Sequence, residues 1–175
     1  MKNPIARRSP LPLLAAVSIA AAIRWTGSAG AAGMQSQTRF FLPDAADSAI
    51  VSVKASGSAV AKIVIVTEAV AVKENAPAAT VKRFGEVYSF SPSTIFVVEN
   101  QPTQIALWNL QSDDEHDLSI IGPDGRPLMD LRLAPLSITS YVFTFHQRGL
   151  LTFRCLIHQP AMSGQIVVAP PGDAE

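Results

Sequence analysis

The stretch "LLTFRCLIHQPAMSGQIVV", residues 150–168, decides how the chain is built. In its first part Leu151, Phe153 and Cys155 fall on one side of an extended strand, with Thr152 and Arg154 on the other. "GQIVV", from Gly164, is a second β-branched run, and the proline-bearing loop "LIHQPAM" joins the two. Cys155 therefore ends an inward-pointing row at the rim of a sheet. His158 and Met162 lie on the loop, free to curl back toward the thiol, and loops on a rigid scaffold are where sites are built. The only cysteine, one of three histidines and one of four methionines thus fall within eight residues.

The same strand rhythm runs upstream. "FGEVYSFSP" places Val87 and Tyr88 in a strand ended by Pro92; "TIFVVEN" and "TQIALWNL" are apolar strands joined through Asn100-Gln101-Pro102; "HDLSII" stops at the turn "GPDG". "LSITSYVFTF" alternates before "HQRG" turns the chain into "LLTFRC". Six or seven strands at roughly ten-residue spacing, with no helix between them, predict an all-β, Greek-key β-sandwich.

Two β-branched runs precede this core, Ile50–Ala55 and Val60–Val72, with Ser56-Gly57-Ser58 between them. They predict a hairpin or two long strands. A helix over 59–72 competes because alanine is plentiful, but the block Ile63-Val64-Ile65-Val66-Thr67 favours a pleated sheet. Residues 34–49 read as a linker whose Phe40, Phe41 and Leu42 dock on the body, and 74–79 as a connection. The expected organisation is residues 34–80 as linker and extra N-terminal β segment, 81–169 as the core domain, and 170–175 as a tail.

The first 33 residues combine a basic start (Lys2, Arg7, Arg8), an apolar run from Leu11 to Ile23 and small residues around Ala29 to Ala32, the pattern of a cleaved export signal. The run of 13 is short of the roughly 20 residues that span a bilayer, so the membrane is expected to matter only during export. The expected location is the periplasm. All 14 acidic residues follow position 33, against 10 of the 14 basic ones, which leaves the mature chain at −4 and excludes a basic nucleic-acid binder. In an oxidising compartment a lone cysteine must be protected or used.

Thiolate, imidazole and thioether suit copper, and two histidines with one cysteine and a weak axial methionine form the electron-transfer arrangement. A second histidine is then required, and His116 and His146 remain. His146 sits in the polar turn "HQRG" and reads as a solvated turn residue. His116, in "SDDEHDLSII", stands where a loop enters a strand, the better position for a ligand arriving from elsewhere in the sandwich.

At this point residues 84–169 resemble the cupredoxins, the blue-copper proteins. The resemblance lies in an asparagine-bearing strand before an isolated histidine, a glycine turn before "FRC", the spacing Cys-x2-His-x3-Met, and "GQIVV". It implies an eight-stranded Greek-key sandwich carrying one Cu(I)/Cu(II) ion on His116, Cys155, His158 and, axially, Met162. It further implies a redox protein partner such as a cytochrome or a copper oxidoreductase, and electron transfer rather than catalysis. The ligand loop departs from the family in length, being intermediate between its plastocyanin-like and amicyanin-like branches. Asp117 stands where members often have asparagine, which can donate a hydrogen bond as well as accept one.

Glu115 beside His116, together with the N-terminal β segment, also resembles nitrosocyanin, the red-copper branch, where a carboxylate joins the ligands and an N-terminal hairpin supports oligomers. A hard carboxylate would favour a tetragonal Cu(II) site for catalysis or copper handling, with Glu115 as an extra ligand and a homo-oligomer built through the N-terminal segment. The simpler reading of Glu115 is a solvated member of the run Asp113, Asp114, Glu115, Asp117. That run does not match a calcium-binding EF-hand loop but could steer a basic partner. A binuclear copper centre needs two cysteines and is excluded; a metal-free interaction module with Cys155 as a core residue is the remaining rival.

Overall fold

Alternating apolar residues need a partner surface on one face only, and among the described residues ten strands supply it by folding into two five-stranded sheets. The computed structural model describes residues 40–158 and 160–172. The expected export signal, residues 1–33, lies outside the described residues. Among those described, no helix is long and apolar enough to cross a membrane.

One sheet has the order β1 (Val51–Lys54), β8 (Ser137–Phe145), β5 (Thr103–Asn109), β2 (Ala61–Ala71), β3 (Val87–Ser91). The other runs β4 (Thr94–Val98), β10 (Ser163–Ala169), β9 (Gly149–Arg154), β6 (His116–Ile121), β7 (Pro127–Leu133). β2 pairs in parallel with β5, and β10 with β4; the other neighbours are antiparallel. Ile95, Val97, Leu151, Phe153, Phe143 and Phe145 point inward and form the core with Ile65, Leu107, Ile120 and Leu131. Thr94, Phe96 and Thr152 alternate outward, so the period of two survives into the fold.

The two early β-branched runs become β1 and β2 but no hairpin. β1 pairs with β8, while the Val60 N–H donates to the Pro102 carbonyl (2.9 Å) and leads β2 alongside β5. The segment read as an extension therefore supplies two strands of one sheet. β2 has a neighbour on either side, so its backbone offers no free edge to another copy.

Two elements lie where the sequence reading placed none. Helix α1 (Ala78–Phe84) starts after Pro77 and ends at Gly85, whose φ of 75° suits glycine; this is the proline-first, glycine-last order of a short helix. β7 is nearly all buried because β6 flanks it and residue 41 bridges its open edge: Phe41 and Asp130 exchange backbone hydrogen bonds of 3.1 and 2.9 Å. The linker does dock, but through its backbone and through Asp47, which is buried and ion-paired to Arg126, while Phe40 and Leu42 stay exposed.

Candidate metal centre

The period of two in "LLTFRC" puts Cys155 just past the end of β9, pointing into the space between the sheets, and it is fully buried. His116 is the first residue of β6, the strand beside β9, and is buried as well. The loop that follows Cys155 is drawn closed by its own backbone: the Cys155 N–H donates to the Met162 carbonyl (2.9 Å), and the Met162 N–H to the His158 carbonyl (3.4 Å). This closure swings His158 inward. The three donor atoms of His116, Cys155 and His158 lie within 4.8 Å of one another, with the two Nδ1 atoms 3.0 Å apart and Cys155 Sγ 3.6 Å from His158 Nδ1.

Of the residues singled out from sequence, these three converge. Met162 is fully buried where the loop rejoins β10. Glu115 turns away to an ion pair with Arg132, and its carboxylate is not among the converging atoms. His146 serves elsewhere, between Ser52 Oγ (3.0 Å) and Asn100 Oδ1 (2.8 Å), where it ties β1 to the β4–β5 turn. The acidic run is no cation cage, since its members face different partners: Asp113 meets Lys73, Asp114 meets Tyr88, Glu115 meets Arg132, and Asp117 is buried.

Asp117, one residue after His116, faces the opposite side of β6 and holds the loop from behind. Its carboxylate accepts the Leu156 N–H (2.8 Å), the Ile157 N–H (3.3 Å) and the Cys155 thiol (2.9 Å). It thus keeps the acceptor role that an asparagine would have there. Behind it, Ser119 donates to Asp130 (2.7 Å), whose carboxyl is held above the ordinary range by burial and by the nearby Asp117.

Sequence reasoning gave Tyr88 no part in the site. Its ring packs edge-on against His116 (4.8 Å between centroids) and tilted against His158 (4.7 Å), and its hydroxyl donates to Asp114 (2.5 Å). The strand pattern placed Tyr88 in a strand but carried no signal of which residues it would meet. Burial, reinforced by Asp114, pushes its hydroxyl well above the usual phenol range, so it stays protonated.

The electrostatics favour neutral imidazoles and a protonated thiol in the metal-free protein. Burial, then the proximity of His158, pulls His116 down to about 4; burial also lowers His158. Burial, then the Asp117 carboxylate, pushes the Cys155 thiol up to about 12. Two neutral imidazole nitrogens and one sulfur, converging in a buried pocket, fit a soft or borderline metal that can displace the thiol proton.

No family model and no curated protein matches the sequence. The fold does match solved structures. A multicopper oxidase from Campylobacter jejuni superposes with a TM-score of 0.50 at 11% identity, over 66% of this chain and 31% of that one. An auracyanin from Roseiflexus castenholzii gives 0.46 at 17%, over 65% of this chain and all of that one, and auracyanin A from Chloroflexus aurantiacus gives 0.43 at 15%, over 62% and 98%. The match covers about a third of the oxidase's length. The two-sheet sandwich described here is the cupredoxin fold.

Proposed function

We propose that the chain is an exported, periplasmic carrier of single electrons that holds one copper ion on His116, Cys155 and His158, with Met162 as the weak axial donor. The observation that carries this reading is the convergence of two imidazole Nδ1 atoms and one buried sulfur, drawn from β6, the end of β9 and the loop after it. Copper would supply the reversible Cu(I)/Cu(II) couple that a thiolate and two imidazoles suit.

The chain's own residues supply stiffness and access. Asp117 fixes the loop by three contacts, and Tyr88 wedges both imidazole rings, so the donors are set before a metal arrives. His158 is the less buried histidine, and the exposed Ile157, Pro160 and Ala161 give it an apolar rim where a cytochrome or copper oxidoreductase would dock. Exposed acidic side chains nearby, Asp113 among them, would steer a basic partner.

Loading the mature protein with Cu(II) and recording its visible and EPR spectra tests the reading. An intense thiolate-to-copper band with narrow hyperfine splitting is expected. A red or green tetragonal spectrum would instead bring Glu115 out of its ion pair and favour a catalytic or copper-handling role, and no thiolate band at all would refute copper at Cys155. The N-terminal sequence of protein recovered from the periplasm checks the export signal; an intact Met1 would refute cleavage.

A further inference from the structure

A histidine can offer a metal only the ring nitrogen that carries no proton, so the partner of the other nitrogen decides which atom is available. His116 Nε2 lies 3.0 Å from Gln111 Oε1. The orientation of that amide is settled by its surroundings. Gln111 Nε2 donates to the Thr67 carbonyl (3.3 Å), and Oε1 accepts from the Thr67 hydroxyl. Turning the amide over would set two carbonyl oxygens against each other. Oε1 can only accept, so His116 carries its proton on Nε2 and presents a bare Nδ1 toward His158.

The polar groups of Gln111 are committed. Its N–H donates to Asn109 Oδ1 (3.1 Å), and its carbonyl accepts the Leu136 N–H (2.9 Å). Thr67 is buried at the middle of β2, its hydroxyl accepting the Leu110 N–H (3.2 Å) and lying 3.0 Å from Asn109 Oδ1. Asn109 in turn donates to the carbonyls of Asp114 (2.8 Å) and Leu133 (3.0 Å), which holds the loop leading into His116. A surface glutamine gains nothing from so many fixed bonds. One that must hold an imidazole at a stated angle does.

We infer that Gln111, locked by Thr67 and Asn109, is the positioning residue that fixes the His116 tautomer and so readies Nδ1 for the metal. The inference deepens the copper reading and rests on it for the identity of the metal, but the tautomer is a property of the metal-free chain. β2 thereby reaches the centre through a single side-chain relay, Thr67 to Gln111 to His116.

Nitrogen NMR of the His116 ring in the metal-free protein reads the tautomer directly. The unaltered chain should show a protonated Nε2 and a bare Nδ1. Gln111→Leu should mix the two tautomers and weaken Cu(I) binding, measured by chelator competition, by about 10- to 100-fold. Gln111→Glu, which keeps an acceptor for the imidazole N–H but sets an oxygen toward the Thr67 carbonyl, should return the Nε2–H form in part; a role in packing alone would be met by leucine and would not need this rescue. Should Gln111→Leu fail to fold, Gln111→Met, of similar length and with no acceptor for the imidazole N–H, is read in the same way. A pure Nε2–H tautomer with undiminished affinity in the leucine variant, or in the methionine variant read in its place, overturns the inference. A shifted tautomer in a protein that never binds copper sustains the relay and refutes the copper reading, so the two failures are distinct.

Discussion

Metal binding at the cluster should tighten about tenfold for each unit of pH, from near pH 7 to beyond pH 9, because one proton leaves for each ion bound. The proton is that of Cys155. Burial, with the Asp117 carboxylate 2.9 Å from the sulfur, lifts the thiol from an ordinary value near 9 to about 12, so it is protonated across this range. His116 adds no proton of its own, since burial pulls it to about 4, and His158 is lowered in the same sense. One displaced proton changes the apparent binding free energy by about 1.4 kcal/mol per pH unit, hence by roughly a hundredfold in affinity between pH 7 and pH 9. A thiol at its ordinary value would have lost half of that slope by about pH 9. Competition of Cu(I) against a chelator of known protonation constants gives the slope, and calorimetry in buffers of different ionisation enthalpy counts the protons. A slope near zero at neutral pH would mean the thiolate is already formed, and a slope near two would mean an imidazole is still protonated; either result refutes the electrostatic account.

Three further expectations are open to test. Cys155→Ser should abolish the thiolate-to-copper absorption, His146→Ala should leave it intact because His146 binds Ser52 and Asn100 instead, and Met162→Leu should keep copper while raising the reduction potential, as voltammetry would show. Gly164→Ala should destabilise the protein to urea by about 1–3 kcal/mol, the usual cost of overpacking, since the added carbon would lie 2.3 Å from the Phe153 ring and 2.5 Å from the Ser93 carbonyl, which as backbone has little room to yield. Asp130→Asn should make the metal-free protein more stable than the parent at pH 8, with the advantage shrinking toward pH 4: a buried carboxyl whose pKa is raised costs stability as pH climbs above its unfolded value, and an amide carries no such cost. Equal stabilities at both pH values would contradict the burial assigned to that carboxyl.

The sandwich and the three converging donors were legible for a common reason: each depended on local periodicity. Alternation in 150–155 fixed which way Cys155 points, and three residues of loop were enough to bring His158 back. β7 escaped because "PLMDLRL" is a short alternating run without a single β-branched or aromatic residue to mark it as a strand, and α1 because its seven residues are defined by Pro77 and Gly85 rather than by any apolar stripe. Of the hairpin or two strands expected from Ile50 to Val72, the strands formed, but for a different reason they do not pair as a hairpin. Sequence neighbours are the default partners of strands, and nothing within the segment signals that β8 and β5 will lie between β1 and β2. Tyr88 and Thr67 were illegible in the same way, since they meet His116 and Gln111 from 28 and 44 residues away, and Gln111, five residues before His116, carried no sign of what its amide would bind.

Those long-range contacts determine what kind of centre this is. Cys155 and His158 come from one short loop, which alone could open and close around an ion. Asp117 prevents that by tying the Leu156 and Ile157 amides to β6, while Gln111 and Tyr88 hold His116 from two other directions, through β2 and β3. Each restraint comes from a strand with its own place in a sheet, so displacing any donor would strain packing well away from the cluster. Stiffness of this sort serves a group that must change charge without changing shape, and it would hinder a site that has to rearrange around a substrate. The Thr67–Gln111 relay carries this restraint back to β2, more than 80 residues before the ligand loop, so loosening it should make the His116 side of the cluster more mobile without touching Cys155 or His158.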